Sequence, residues 1–102
     1  MKEQEFIYHI TSEKEWKEAQ QTGWYEAPSL KVEGFIHCST ETQVEGVLQR
    51  YYAGKTNLVK LVIDPLHLSY PLKYERSPSV NELFPHVYGV INVDAVKNVV
   101  YL

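Results

Sequence analysis

Two stretches hold the residues best suited to chemistry: Tyr8-His9-Ile10-Thr11 and Ile36-His37-Cys38-Ser39, each a histidine followed two positions later by a hydroxyl. Imidazole gains and loses a proton near neutral pH, and hydroxyls bind oxyanions, so the pairing suits anion binding with proton movement. Residues two apart on a strand share a face. If both stretches are strand ends lying close in one sheet, His9, Thr11, His37 and Ser39 converge on a common cleft. The competing reading is plain: a histidine at a strand end is often a partly buried structural residue, and a hydroxyl there an ordinary helix cap.

Ser39 leads directly into a helical pattern. Val44, Val47, Leu48, Tyr51 and Tyr52 follow the spacing of one buried helix stripe, and Thr40 with Gln43 reads as a capping box. Ser39 and Thr40 are therefore expected at a helix N-terminus, where free backbone N–H groups and the helix dipole favour a phosphate or carboxylate. Strand alternation turns Cys38 away from His37, toward an apolar layer shared with Val44, Val47 and Leu48, so its thiol is expected to be buried and inert. A further histidine stands in Leu83-Phe84-Pro85-His86-Val87-Tyr88-Gly89. His86 is expected at the cleft rim, in a loop that Pro85 stiffens and that Phe84 and Val87 anchor. Phe84 joins the ligand-binding candidates. Glu75, between Tyr74 and Arg76, is the best-placed acid, with a solvated or Arg-paired carboxylate as the alternative. His9, His37, Cys38, His67 and His86 are ligand types a metal would use, but no pair has zinc-motif spacing, and no metal site is expected.

Positioning these side chains requires a sheet and two main helices. Residues 5–10, rich in Phe, Ile and Tyr, form a first strand. Ser12 with Glu15 makes a second capping box, opening a short helix with Trp16, Ala19 and Gln20 inward and Gly23 as its stop. Trp24-Tyr25 begins another strand, and Pro28-Ser29-Leu30 takes no assigned conformation. Residues 54–57 are a turn, and the near-continuous apolar run at 58–64 belongs in mid-sheet, ended by Pro65. Residues 71–75 form a further strand, 76–79 a loop, 92–96 a turn or single helical turn, and 99–102 the last strand.

A chain of 102 residues without an internal linker or repeat is one domain with one core. Its 44% hydrophobic and 23% charged content is that of a globular protein, and no apolar run approaches the roughly 20 residues that span a membrane. The acidic opening Met1-Lys2-Glu3-Gln4-Glu5 is unlike a signal peptide, and a lone cysteine permits no internal disulfide. A cytoplasmic protein is expected. With a net charge of -3 and basic residues scattered, nucleic-acid wrapping is not expected. A small anion held by amides and a few side chains remains compatible. Eight Tyr, two Trp and three Phe supply core and also flat walls for a stacked ligand.

At these residues a resemblance becomes visible. The order Ile-Tyr-His-Ile, Glu-Gly-Phe-Ile-His-Cys-Ser, Leu-Val-Lys-Leu-Val-Ile-Asp, Glu75 and Phe-Pro-His-Val-Tyr-Gly resembles the domain of unknown function 952 family of bacteria and plants over nearly the whole chain. That family implies no established reaction, but the resemblance implies His9, His37, Ser39, Glu75 and His86 as pocket residues. Tyr8-His9-Ile10-Thr11 is also similar, more distantly, to the strand that opens the NAD pocket of the ADP-ribosyltransferase fold. There His9 would match the ribose-contacting position and Thr11 the amide-contacting one. Ile10 stands where that fold has glycine, and Val90-Ile91-Asn92 lacks the glutamate of its transferring members.

The expected architecture is α+β, a mixed or mainly antiparallel sheet with two main helices, resembling the ADP-ribosyltransferase fold. The expected partner is an anionic or nucleotide-like small molecule, with NAD the leading cofactor candidate and neither nucleic acid nor membrane. His37, His86 and Glu75 are the catalytic candidates; His9, Thr11, Ser39, Thr40 and Phe84 are the ligand-binding ones. Two alternatives stand beside an enzyme of this kind: a binding module without chemistry, and a hydrolase resembling two-histidine phosphoesterases. The 28-residue step from His9 to His37 is short for motifs that usually come from two lobes.

Overall fold

The computed structural model describes residues 5–77 and 81–102. In chain order its elements are β1 (Ile7–Ser12), α1 (Glu13–Thr22), β2 (Trp24–Tyr25), α2 (Pro28–Glu33), β3 (Ile36–His37), α3 (Val44–Tyr51), β4 (Leu58–Ile63), β5 (Leu72–Ser77), β6 (Glu82–Val87), β7 (Ile91–Asn92) and β8 (Val96–Tyr101). Short 3-10 turns occupy Glu41–Gln43, Pro65–His67 and Val93–Ala95. Strand orders are β1-β4-β8, β2-β7 and β3-β6-β5, with every pairing antiparallel. The fold class is α+β.

Local signals placed several elements. The apolar run of β4 lies between β1 and β8 with five of its six residues buried, as a mid-sheet strand must. Ser12 caps α1 by accepting from the Glu15 N–H at 3.0 Å, and Gly23, at φ 90°, closes the helix by donating to the Ala19 carbonyl. Trp16 and Ala19 face the core, while Gln20 is exposed, contrary to expectation. Val44, Leu48 and Tyr52 pack against Ile10 and Leu58 in a small satellite cluster. Cys38 sits instead in the main core with Ile7, Ile36, Leu61 and Val87, so the apolar layer expected around it was misassigned.

Three segments differ from the expected pattern. Pro28, unassigned in sequence, opens the short helix α2, where a first-turn proline loses no hydrogen bond, and Gly34 at φ 90° ends it. Arg76 and Ser77 extend β5 instead of forming a loop; residues 78 and 79 of that expected loop lie outside the described residues. The segment carrying His86 is a strand, β6, and not a loop. Among the described residues no helix is long and apolar enough to cross a membrane.

Gly89, just beyond β6, lets two chain segments touch. A Cβ there would lie 2.2 Å from Cγ and 2.6 Å from Cβ of Tyr70, atoms too near their own backbone to swing clear. Gly89→Ala is expected to lower stability by about 1–3 kcal/mol, the usual cost of overpacking. A chemical-denaturation midpoint equal to that of the unmodified protein would refute the contact.

Candidate functional site

Pro85 shapes the site. Ile36 pairs with Val87 and His37 with His86, after which the Cys38 N–H donates to the Pro85 carbonyl at 2.9 Å. Proline has no N–H to return that bond, so the β3–β6 ladder ends there. The chain then crosses to the first sheet, where Ser39 and Tyr8 exchange two backbone bonds of 2.7 and 2.8 Å. One strand segment is thereby shared between two sheets.

The His37–His86 pair lies one step before that break, in a non-hydrogen-bonded register that brings side chains close. Their ring centroids are 5.1 Å apart at 79°. Phe35 stacks on His86 at 4.1 Å and 16° and meets the edge of His37 at 4.9 Å. Each imidazole has its own carboxylate. His37 Nε2 lies 3.2 Å from both Glu33 oxygens at the exposed end of α2, and His86 Nδ1 lies 2.7 Å from Glu75 Oε1. Tyr88 donates to the same Glu75 oxygen at 2.6 Å. The Tyr88 hydroxyl, and then the His86 ring, hold the Glu75 carboxyl below the usual carboxylate range. With Nδ1 so engaged, His86 offers Nε2 as its free nitrogen.

His9 occupies a different position. Its Nδ1 donates to the His37 carbonyl at 2.6 Å, and its Nε2 lies 2.8 Å from Tyr25 Oη. Tyr25 Oη in turn lies 3.1 Å from Thr11 Oγ1, which donates to Glu15 at 2.6 Å. Burial lowers the His9 pKa to about 4, against the raising effects of the His37 carbonyl and Glu15. Burial also pushes the Tyr25 phenol and the Cys38 thiol up.

These groups border one cleft of about 710 Å³, whose walls include His9, Thr11, His37, Ser39, Phe84 and His86. Glu75 stands behind His86, and Thr40 lies outside the lining. Ser39 is 5% and His86 7% exposed. Neither Ser39 Oγ nor His86 Nε2 has a protein partner among the described residues. The expected amide cradle is occupied: the N–H groups of Cys38, Ser39 and Thr40 go to Pro85, Tyr8 and the Gln43 side chain. The helix after them also starts late, behind a 3-10 turn. His86 is not at the rim, because its strand carries it into the buried layer.

Glu33, Phe35, Tyr25, Glu15 and Tyr88 were missed as site residues. Glu33 and His37 are four apart, but the signal runs across a glycine turn and not along a helix. Tyr88 falls two residues after His86, a period that is informative only once residues 82–87 are read as a strand.

Residues 10–99 match the family described as Protein of unknown function (DUF952). The chain belongs to this family. Its fold is similar to the crystal structure of protein CC0527 from Caulobacter crescentus, at 33% identity over 92% of this chain and 82% of that one, with a TM-score of 0.84. The solution NMR structure of CC0527 gives 33% identity, coverage of 95% and 84%, and a TM-score of 0.82. No curated protein matches this DUF952 chain.

The lowered His9 pKa has a consequence for folding. Below the unfolded value of 6.5 the unfolded chain binds a proton that the native chain refuses until about pH 4. The stabilisation is therefore complete above pH 6.5 and is lost on acidification through this window, by on the order of 3 kcal/mol. Denaturant titrations across that range should show the loss in the unmodified protein and a flatter profile in His9→Gln.

Proposed function

We propose that the cleft binds a nucleotide-like or phosphorylated small molecule, with NAD-type ligands the leading candidates, and that His86 and His37 handle protons on it. One observation carries this reading. Ser39 Oγ and His86 Nε2 border the same cleft without a protein partner, although their residues are more than nine-tenths buried. Polar groups so placed are normally paired, and a ligand bearing oxygens would pair them. Phe35 and Phe84 offer flat walls beside them. Arg76, also on the wall, is oriented by the carbonyl and side chain of Asn81 and supplies positive charge.

NAD is the first probe because Tyr8-His9-Ile10-Thr11 resembles the NAD-contacting strand of the ADP-ribosyltransferase fold. Both His9 nitrogens are already engaged, so in this reading His9 orients Tyr25 and the His37 carbonyl, and the ligand contacts fall to Ser39 and His86. Glu75 fixes the His86 tautomer, which makes Nε2 a base when neutral and a donor when protonated.

The cross-strand histidine pair favours a second reading, hydrolysis of a phosphoester between two imidazoles. The relevant pair is then His37 with His86, not His9 with His37. A binding module without chemistry would use the same contacts and show no turnover.

NMR titration with NAD, ADP-ribose and a nucleoside cyclic phosphate discriminates among these. Shifts are expected at residues 35–40 and 84–88, and product signals would separate an enzyme from a module. His86→Ala should keep the fold and weaken binding by about 1–3 kcal/mol, the range for a hydrogen bond to a charged group. Unchanged affinity in that variant, or shifts mapping away from the cleft, would overturn the proposal.

A further inference from the structure

Beneath the cleft runs a chain of four hydrogen-bond links with one hydrogen too few. The His37 carbonyl can only accept, so the 2.6 Å contact places a hydrogen on His9 Nδ1. The remaining links are His9 Nε2 to Tyr25 Oη, Tyr25 Oη to Thr11 Oγ1, and Thr11 Oγ1 to Glu15 Oε1, at 2.8, 3.1 and 2.6 Å. A neutral imidazole, a phenol and an alcohol facing an ionised carboxylate bring three hydrogens to these four links. With Tyr25 donating to Thr11 and Thr11 to Glu15, the gap without a hydrogen is the 2.8 Å link from His9 Nε2 to Tyr25 Oη. The short Thr11–Glu15 contact has the length of a hydroxyl donating to a carboxylate.

One added proton closes the count in two ways. Placed on His9 Nε2, it lets every group donate toward Glu15. Placed on Glu15 Oε1, it reverses the chain: Glu15 donates to Thr11, Thr11 to Tyr25 and Tyr25 to His9. Both arrangements satisfy all four links, and they interconvert by hydrogen shifts along the chain with no movement of heavy atoms. We infer that His9, Tyr25, Thr11 and Glu15 form a proton relay, which takes up one proton and shares it between the buried imidazole and the Glu15 carboxylate on the cleft wall.

The surroundings support a shared proton. The groups facing the relay are Glu15 from α1, Tyr25 from β2, His37 and Cys38 from β3 and its extension, Tyr52 after α3, and Lys55 farther along the cleft wall. Burial resists a charge on His9, while Glu15 opposes that resistance. Ser12 donates to the same Glu15 oxygen at 3.3 Å, a bond compatible with either state. Exchange occurs at Glu15, which borders the cleft, and the far end abuts the backbone of His37. Glu15 is thus placed as a proton acceptor and donor for a bound molecule. That use rests on the proposed ligand binding, whereas the relay itself does not.

The test uses the ligand-free protein, following His9 ring nitrogens and the Glu15 carboxyl carbon by NMR as pH falls. One transition with the same midpoint at both sites is expected. Thr11→Val and Tyr25→Phe each cut the chain while leaving the Glu15 charge, and should split that transition into two; Thr11→Ser should restore it. Separate midpoints in the unmodified protein overturn the relay. So does a common midpoint that survives in whichever of the two cutting variants folds.

Discussion

The cleft depends on a missing hydrogen. Pro85 sits in the middle strand of its sheet, where a residue with an N–H would continue the ladder to β3. Because it cannot, the chain leaves after Cys38 and pairs through Ser39 with Tyr8 of the first sheet. That crossing puts the carbonyl of His37 against the ring of His9 and Ser39 on the cleft wall. A residue with a normal N–H would favour a longer β3 and a flatter union of strands, with no reason for the sheets to part here.

The same crossing gives the three cleft histidines unlike environments, and environment decides what each can do. His9 is enclosed with both nitrogens engaged, so its charge is costly and its proton is tied to a network. His86 is as deeply buried but keeps one nitrogen free, the other being fixed by Glu75, which Tyr88 steadies. His37 is half exposed beside a carboxylate that shares its exposure, a pairing worth little in water. A buried, oriented and half-free imidazole is the better base or donor; the exposed one is the better group to exchange protons with solvent.

What was legible in the sequence was what short range decides. The serine cap of α1, its stop at Gly23 and the apolar run of β4 are set by neighbours within a few residues, and they formed where their patterns lay. Alternation put His37 and Ser39 on one face, but they meet His9 through the Tyr8–Ser39 bridge between two sheets and not, as expected, as neighbouring strand ends of one sheet. What failed depended on distance or on one misleading residue. Pro85 argued for a loop, yet the strand accommodates it because its missing donor faces the end of β3. The amides of Cys38 and Ser39 looked free because their partners, Pro85 and Tyr8, are fixed by pairings no local window contains, whereas the Thr40 amide is taken by the Gln43 of the capping box itself. The Glu75–Tyr88 contact depends on register between β5 and β6, which alternation alone does not supply.

Hydrogen-bond pairing is uneven across the molecule, and the unevenness is informative. Among the described residues no fully buried side-chain nitrogen or oxygen lacks a partner. Among the buried polar residues described, the side-chain atoms without a partner are Ser39 Oγ and His86 Nε2, both on residues that border the cleft, and beside them lies the relay with three hydrogens for four links. Leaving such groups short costs roughly 1–3 kcal/mol each when water is scarce. A sequence selected only for stability would have no use for the unpartnered hydroxyl of Ser39, where alanine suits the buried position. Retaining a hydroxyl there trades stability for a group that a ligand can satisfy, the compromise expected where local rules give way to a site.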